Sequence, residues 1–502
     1  MAVTRSARKA RSSRLSASEE LARARSRSRS KSPSKRASKK SADAAEGSNW
    51  VEGGVGCGLI FVTPVIVHVV SWLTSEQALR AGVDPKLGLS GLLSQASTVG
   101  LSGLLSQVKD VVLASIVAPT WPAVQFLLVF NAVALVLEQG LPGKVETGPE
   151  TLTGHVPKYV NNALSHCFVF TLLFYALSDM SPISGFDGLY SFGCFFDIFP
   201  AMMTSLSLFG FALCFFLYYK GLNFPSTEDC GSSGSFLKDF TWGTELYPRV
   251  FGIDIKRFIN CRFSMTYWML AGASFTYSSY KRHGQVDWGL ALGSLSQFLY
   301  LVKFFEWEMG YMRSIDIIVD RAGWEIQWGC LCWVPAVYTF HSRFLVLHPS
   351  GLSAAEAGAI FAVGFSGVLL NYWADTQRKT FRESEGDCLI WGQRPKYVKA
   401  TYTVTDPATG LVEERESLLL ASGFWGVARH FHYVFELTAA WSWCLLANPS
   451  KNGAAPLLYA VFLTILLLHR AKRDEKKCSL KYGKHYAKYS KLVPYLVIPG
   501  IY

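Results

Sequence analysis

Charge is what this 502-residue chain has little of: Asp, Glu, Lys and Arg make up 17% of it, against 50% apolar residues. A soluble protein of this length needs far more charge to cover its surface. A string of soluble domains is therefore excluded, and a membrane class is the first inference. Cysteine is present but unorganised, with eleven residues, no CxxC pair and no His–Cys group at zinc spacing. That argues against a disulfide framework and against a metal site. Cys167 and Cys214 sit inside apolar runs and read as small core residues. No GxGxxG, P-loop or HExxH pattern occurs, so any nucleotide is held outside the Rossmann and P-loop schemes. The first residues are polar and basic, and no secretory leader is expected.

The formal net charge of +12 is concentrated at one end, where residues 1–48 hold fourteen Lys and Arg against four acids. This stretch, rich in Arg–Ser repeats, has too few apolar residues to bury anything and reads as a disordered cytosolic tail. A solvated basic tail beside anionic lipid is the expectation, with nucleic acid or chromatin binding as the alternative. Phosphorylation of its serines would reverse much of the charge.

Long apolar runs follow at about 54–73, 119–139, 162–179, 200–219, 263–281, 288–306, 328–347, 353–373, 425–447 and 454–469. Each is near the ~20 residues that cross a bilayer, so the fold class read here is an all-α polytopic integral membrane protein with about ten transmembrane helices. Lys and Arg cluster in 220–262, 378–399 and 470–491, each after an even-numbered run, whereas 180–199 and 348–352 have none. By the positive-inside rule both termini are then cytosolic. The string GLSGLLSQ at 88–95 recurs at 100–107, a short duplication without a solenoid period.

The most informative segment is 467–502. After a span ending near His469, basic residues crowd around Asp474 and Glu475, interleaved with Tyr482, Tyr486, Tyr489, Tyr495 and Tyr502. A lipid-bound basic stretch and a site for a phosphorylated adenine nucleotide both fit that composition. The string LLHR-x2-RD-x3-C-x2-KYG (467–483) resembles the C-terminal signature of the sterol reductase family. That family joins the Δ14-, Δ7- and C-24(28)-reductases to the lamin B receptor. A second family signature is degraded in LKDFTWGTELYPRV (237–250), where Tyr247 and Lys238 depart from the pattern. IDIKRFINCRFSM (253–265), GYMRSIDIIVDRAGW (310–324), WGCLCWVPAVYT (328–339), CLIWGQRPK (388–396) and SGFWGVARHFHYV (422–434) look like the Δ7 branch, in a plant-like form. Glu306 departs from it, standing where an aromatic is usual.

The resemblance covers about 50–502. It implies an endoplasmic reticulum enzyme that reduces the C7–C8 double bond of a 5,7-diene sterol with NADPH. Δ14-reduction, or a nuclear-envelope scaffold like the lamin B receptor, are the alternatives. It also implies a cytosol-facing cofactor pocket in about 371–502, built from Arg378, Arg382, Leu420, Trp425, His432, Tyr433, Asp474, Cys478, Ser479, Leu480, Lys481, Tyr482 and Tyr489. Independently, Arg378 and Arg382 are four apart and share a helix face. The C7–C8 double bond has no carbonyl to accept hydride directly, so its reduction requires a proton donor as well as a hydride. Glu306, Glu308, Asp316 and Asp320 follow one span closely, and Asp320 and Tyr338 are the expected catalytic residues, although pairing of these acids with Arg313 and Arg321 would explain them equally well. The tail carries none of these residues. Deleting 1–48 should therefore leave turnover nearly intact in correctly inserted protein and weaken salt-sensitive binding to anionic vesicles.

Overall fold

The computed structural model describes residues 55–83, 102–103, 105–151, 153–405 and 412–501. The basic tail and most of the duplicated stretch lie outside the described residues. The described chain is mostly helical. Its main elements are α1 (Val55–Leu73), α2 (Trp121–Gly140), β1 (Lys144–Thr147), β2 (Lys158–Asn161), α3 (Ala163–Ala176), α4 (Phe199–Asn223), β3 (Arg249–Val250), β4 (Ile253–Asp254), α5 (Met265–His283) and α6 (Trp288–Glu306). There follow a π-helical stretch Gly329–Tyr338, α7 (Phe340–Leu347), α8 (Ala354–Glu383), β5 (Tyr397–Thr405), β6 (Val412–Leu420), α9 (His432–Leu445), α10 (Leu458–Tyr482) and α11 (Lys484–Leu492). β1–β2, β3–β4 and β5–β6 are separate antiparallel hairpins. The expectation of an all-α chain is corrected by the nine-residue strands of β5 and β6, paired from Tyr397↔Leu420 to Thr405↔Val412.

The apolar runs read from the sequence are helical over most of their length, with 425–447 broken by a turn at 428–431, but the helices differ in kind. Trp121–Gly140, Phe199–Asn223, Ala354–Glu383 and Ala455–Tyr482 are each long and apolar enough to cross a membrane. Trp324–Tyr338 with Phe340–Leu347 makes a fifth, bent by 42°. The others are shorter or more polar because their polar groups are used inside the bundle. On α5 and α6, Trp268 Nε1 donates to Gln297 Oε1 at 2.8 Å and Gln297 Nε2 donates to Ser342 Oγ at 3.0 Å. Trp443 Nε1 donates to Ser296 Oγ at 2.8 Å. Such bonds replace water where none is at hand. Small residues let α8 and α9 close on each other: a Cβ added at Gly367 would meet the Phe435 carbonyl oxygen at 2.8 Å, and one at Gly364 the Ser442 Cβ at 2.7 Å.

The connections sort into two sets. On one face, Arg249 donates to the Lys158 carbonyl at 3.2 Å, Lys256 Nζ to the Ile317 carbonyl at 2.8 Å, and Arg415 pairs with Glu150 at 3.1 Å. On the other, the Ser350 amide donates to Asp287 at 2.9 Å, Lys451 Nζ donates to the Pro349 carbonyl at 2.9 Å, and Arg282 pairs with Glu76.

The first face is fastened by one buried cluster. Glu308, directly after α6, accepts from Arg257 at 2.8 Å and from both terminal nitrogens of Arg262. Arg262 also donates to Asn162 Oδ1 at 3.1 Å, and Arg257 to the Val160 carbonyl at 2.8 Å. Glu138, on α2, lies 3.6 Å from Arg257. The two arginines are five apart, which an ordinary α-helix would splay to different sides. Here Phe258–Ser264 is a π-helix, whose wider turn suits i, i+5 neighbours. Burial alone would raise the Glu308 carboxyl, but Arg262 and Arg257 hold it down to about 2.

Glu308→Gln should cost about 3–5 kcal/mol, because it leaves two buried cations short of their acceptor. The carboxyl sits below its ordinary value of 4.5, so its stabilisation is complete above that pH and is lost as pH falls towards 2. Thermal unfolding in detergent between pH 7 and 3 should show the wild type losing stability through that window and Glu308→Gln lacking that component.

Candidate functional site

The lower half of α8, the turn between β6 and α9, and the second half of α10 converge on the fastened face. Arg378 lies with its guanidinium 3.9 Å from the centre of the Trp425 ring and 3.7 Å from Asp375. Trp425 is fixed from below, its Nε1 donating to the Ala374 carbonyl at 2.8 Å. The turn that carries it is pinned to α8, since the Phe424 amide donates to Gln377 Oε1 at 3.0 Å. Gly423 takes φ +60 there, and a Cβ would strike Gln377 at 2.1 Å.

From Trp425 an aromatic path runs inward. The His432 ring is 4.7 Å from Trp425 and 4.3 Å from Tyr433. Tyr433 stacks on His430 at 5.2 Å, and His430 lies 3.8 Å from Asp474. The Cys478 thiol donates to Asp474 at 3.7 Å. His432 Nδ1 is buried without a partner among the described residues. Leu420 is buried beside Ala374, Phe381 and Trp425, and Tyr489 beside Val398, Ala421 and Val493. Burial pushes the Tyr489 hydroxyl up to about 12, so it stays a neutral donor.

The structure thus brings together Arg378, Trp425, His432, Tyr433, Asp474 and Cys478, with Leu420 and Tyr489 packed nearby. Lys481 and Tyr482 sit a turn further along α10. Lys481 Nζ is 4.1 Å from the centre of the Tyr402 ring, and the Tyr482 hydroxyl bonds Ser417 at 3.4 Å. Arg382 is exposed on the same face of α8 as Arg378 and makes no ion pair among the described residues. Ser479 and Leu480 fall on the opposite side of α10 and are exposed, Leu480 by 76%. Helix periodicity separates them from Asp474 and Cys478.

Sequence reasoning offered Arg313 and Arg321 as partners for the acids after α6, as the alternative to a catalytic role. Instead Asp316 pairs with Arg470 and Asp320 with Arg473 at 2.6 Å, while Arg321 donates to the Gly231 carbonyl at 2.7 Å. Arg470 and Arg473 are three apart on α10 and present one face to both carboxylates. Burial raises the Asp320 carboxyl, opposed by Arg473. Lys256 is drawn to the same loop: burial lowers its ammonium to about 8, against the pull of Asp320. Tyr338 lies in an aromatic cluster, 5.2 Å from Trp268 and 4.8 Å from Tyr459.

Two further constellations carry polar groups that the sequence reading did not single out. Inside the bundle, the Tyr300 hydroxyl donates to Glu436 at 2.6 Å. One turn on, Lys303 bonds Asn371 and lies 3.8 Å from Asp375, the carboxylate beside Arg378. Asn371 in turn donates to the His432 carbonyl at 3.1 Å. A polar chain therefore joins Arg378 to the neighbourhood of Tyr300. The available signal was an acid and a lysine inside apolar runs, which are costly there unless used. At the edge of the site, Arg429 grips Glu475 through two bonds of 2.7 and 2.9 Å and donates to the carbonyls of Val493 and Pro494 at 2.6 and 3.0 Å.

With this geometry in place, likeness to known proteins decides the family. Residues 89–502 match the Ergosterol biosynthesis ERG4/ERG24 family. The chain belongs to this family. It is 40% identical over 390 residues to the 7-dehydrocholesterol reductase of Arabidopsis thaliana, covering 76% of this chain and 86% of that one. It is 32% identical to the 7-dehydrocholesterol reductase of Xenopus laevis, over 77% of this chain and 81% of that one. It is also 32% identical to a Delta(14)-sterol reductase of Methylotuvimicrobium alcaliphilum, over 76% and 84% respectively. The ERG4/ERG24 assignment and the apolar helices agree on a membrane protein.

Arg429 holds the C-terminal segment against the site through its side chain, and its amide donates to the Tyr495 carbonyl at 3.0 Å. Losing a charge-assisted bond costs about 1.5–3 kcal/mol. Arg429→Ala should therefore speed amide exchange in 428–431 and 493–497 by roughly ten- to a hundredfold, with α2 and α4 unchanged, as read by hydrogen–deuterium exchange mass spectrometry.

Proposed function

We propose that this chain is a sterol Δ7-reductase of the endoplasmic reticulum membrane that uses NADPH to reduce the C7–C8 double bond of a 5,7-diene sterol. The relatives named above and the Δ7-type segments support the substrate. The observation that carries the cofactor reading is the placement of Arg378, stacked on Trp425 at 3.9 Å, with the exposed Arg382 one turn away. Stacked aromatics and forked cations are what a phosphorylated dinucleotide requires, and the His432 ring lies against Trp425 in the same cluster.

In this reading residues 49–502 form the catalytic body and 1–48 a separate tail. The ten apolar runs all cross the membrane, both ends facing the cytosol. The contacts that keep loops after even-numbered runs on one face, and those after odd-numbered runs on the other, support that count. The cofactor pocket within about 371–502 then opens to the cytosol.

NADPH, when bound, supplies the hydride. The chain supplies the rest. Arg378, Arg382 and Lys481 would meet its phosphates, while Leu420, Trp425, His432, Tyr433, Asp474, Cys478, Tyr482 and Tyr489 would shape the cleft. Ser479 and Leu480, exposed on the other side of α10, would border the cofactor only at its edge. The alkene must also gain a proton, held in a dry place. Tyr300, bonded to Glu436 at 2.6 Å and flanked by Trp268 and Trp443, is suited to hold it. Tyr338 borders the same cluster through Trp268. Asp320, tied to Arg473, would act from the cytosolic side of that cluster.

Membranes containing the protein should convert a 5,7-diene sterol to the Δ5 sterol with NADPH, measured by sterol profiling in reductase-deficient cells. Turnover of a Δ8,14-diene alone would instead assign it to Δ14-reduction, and no NADPH binding would favour a scaffold. Arg382→Ala removes a contact worth about 1.5–3 kcal/mol and should raise the NADPH KM roughly ten- to a hundredfold. Sterol binding should barely change, and Lys491→Ala, on the exposed side of α11, should be silent. Tyr300→Phe should reduce kcat while leaving both KM values close to wild type.

A further inference from the structure

We propose that the β3–β4 hairpin is a lipid anchor, its tip residue Phe251 dipping into the interfacial layer of the bilayer beside the end of α4. Phe251 is 99% exposed and adopts φ +51, and Gly252 after it adopts φ +83. A two-residue tip with both φ values positive favours Asn-Gly or Gly-Gly, because a bulky side chain is strained in the left-handed region. A phenylalanine there satisfies neither the turn nor the core, since its ring packs on nothing among the described residues. The ring is spent on the surroundings.

The root of the hairpin fixes where those surroundings are. The Arg249 amide donates to Ser226 Oγ at 2.9 Å, and Ser226 Oγ donates back to the Arg249 carbonyl at 3.3 Å. Ser226 stands three residues beyond Asn223, the last residue of α4, so the root lies within about 10 Å of the helix end. α4 is one of the helices long and apolar enough to cross a membrane. Its last turn and exit expose Tyr219, Leu222 and Phe224, the last by 69%. Aromatics at the end of a span mark the headgroup level. Phe251 extends that belt sideways on a rigid two-stranded arm. Lipid is the occupant these observations select, because the arm is anchored to a membrane-crossing helix at the depth where aromatic rings are favoured.

The test places a nitroxide-bearing amino acid at position 251 in the full chain, reconstituted one copy per lipid nanodisc. Its accessibility to oxygen and to a water-soluble nickel chelate is then compared with that of a label at Glu414, an exposed residue on β6. The expected result is a several-fold higher oxygen-to-nickel ratio at 251 and a depth of about 5–10 Å, as interfacial anchors reach. A nickel accessibility equal to that at Glu414 would overturn the proposal. So would protection from both reagents, which would place protein over the tip. If the bulky label perturbs the turn, a benzophenone amino acid at 251 keeps an aromatic ring there. Lipid adducts by mass spectrometry are expected after irradiation, and adducts to protein alone would overturn the anchor.

Discussion

Glu308 is a carboxylate with no exposed side-chain surface, clasped between Arg257 and Arg262. Nearly everything on the site-bearing face hangs from that clasp. Through Arg257 it reaches β2 and the end of α2, and through Arg262 it reaches Asn162 at the start of α3. A buried charge cluster of this kind is a poor source of net stability, because desolvation offsets much of the attraction. Its worth lies in register. A carboxylate with two guanidinium partners accepts one geometry, and the loops that supply those groups must meet in one way.

The same logic repeats along the face. Asp316 and Asp320, in the loop after α6, take Arg470 and Arg473 from α10, and Lys256 closes on the carbonyls of that loop. α10 is thereby oriented so that Asp474 meets His430, with the Cys478 thiol bonded to Asp474. Small residues at Gly364 and Gly367 then bring α9 against α8, setting Trp425 under Arg378. Charge pairs orient the helices from the loops, and close packing sets their separation.

The polar chain from Arg378 through Asp375 and Lys303 to the turn before Tyr300 connects this face to the interior of the bundle. Its members come from α6, α8 and α9, and each is costly in an apolar setting without the others. Under the proposed function, that chain would join the cofactor end of the site to its substrate end.

Much of this was legible in the chain. The apolar runs became mostly helical, because an apolar stretch of that length must hydrogen-bond to itself. The string from Leu467 to Gly483 and the pair Arg378–Arg382 singled out α10 and α8, since helix spacing determines which side chains share a face. What sequence could not supply were pairings between distant segments. Asp320 and Arg473 are 153 residues apart, whereas the local reading offered Arg321 as a neighbour. The β5–β6 ribbon, the π-turn that brings Arg257 and Arg262 to one carboxylate, and the bond from Tyr300 to Glu436 are likewise outcomes of packing. Local periodicity decides which groups an element presents. Only the closed bundle decides which of them meet, because the cost of burying each charge or hydroxyl is met by a partner that another part of the chain must bring.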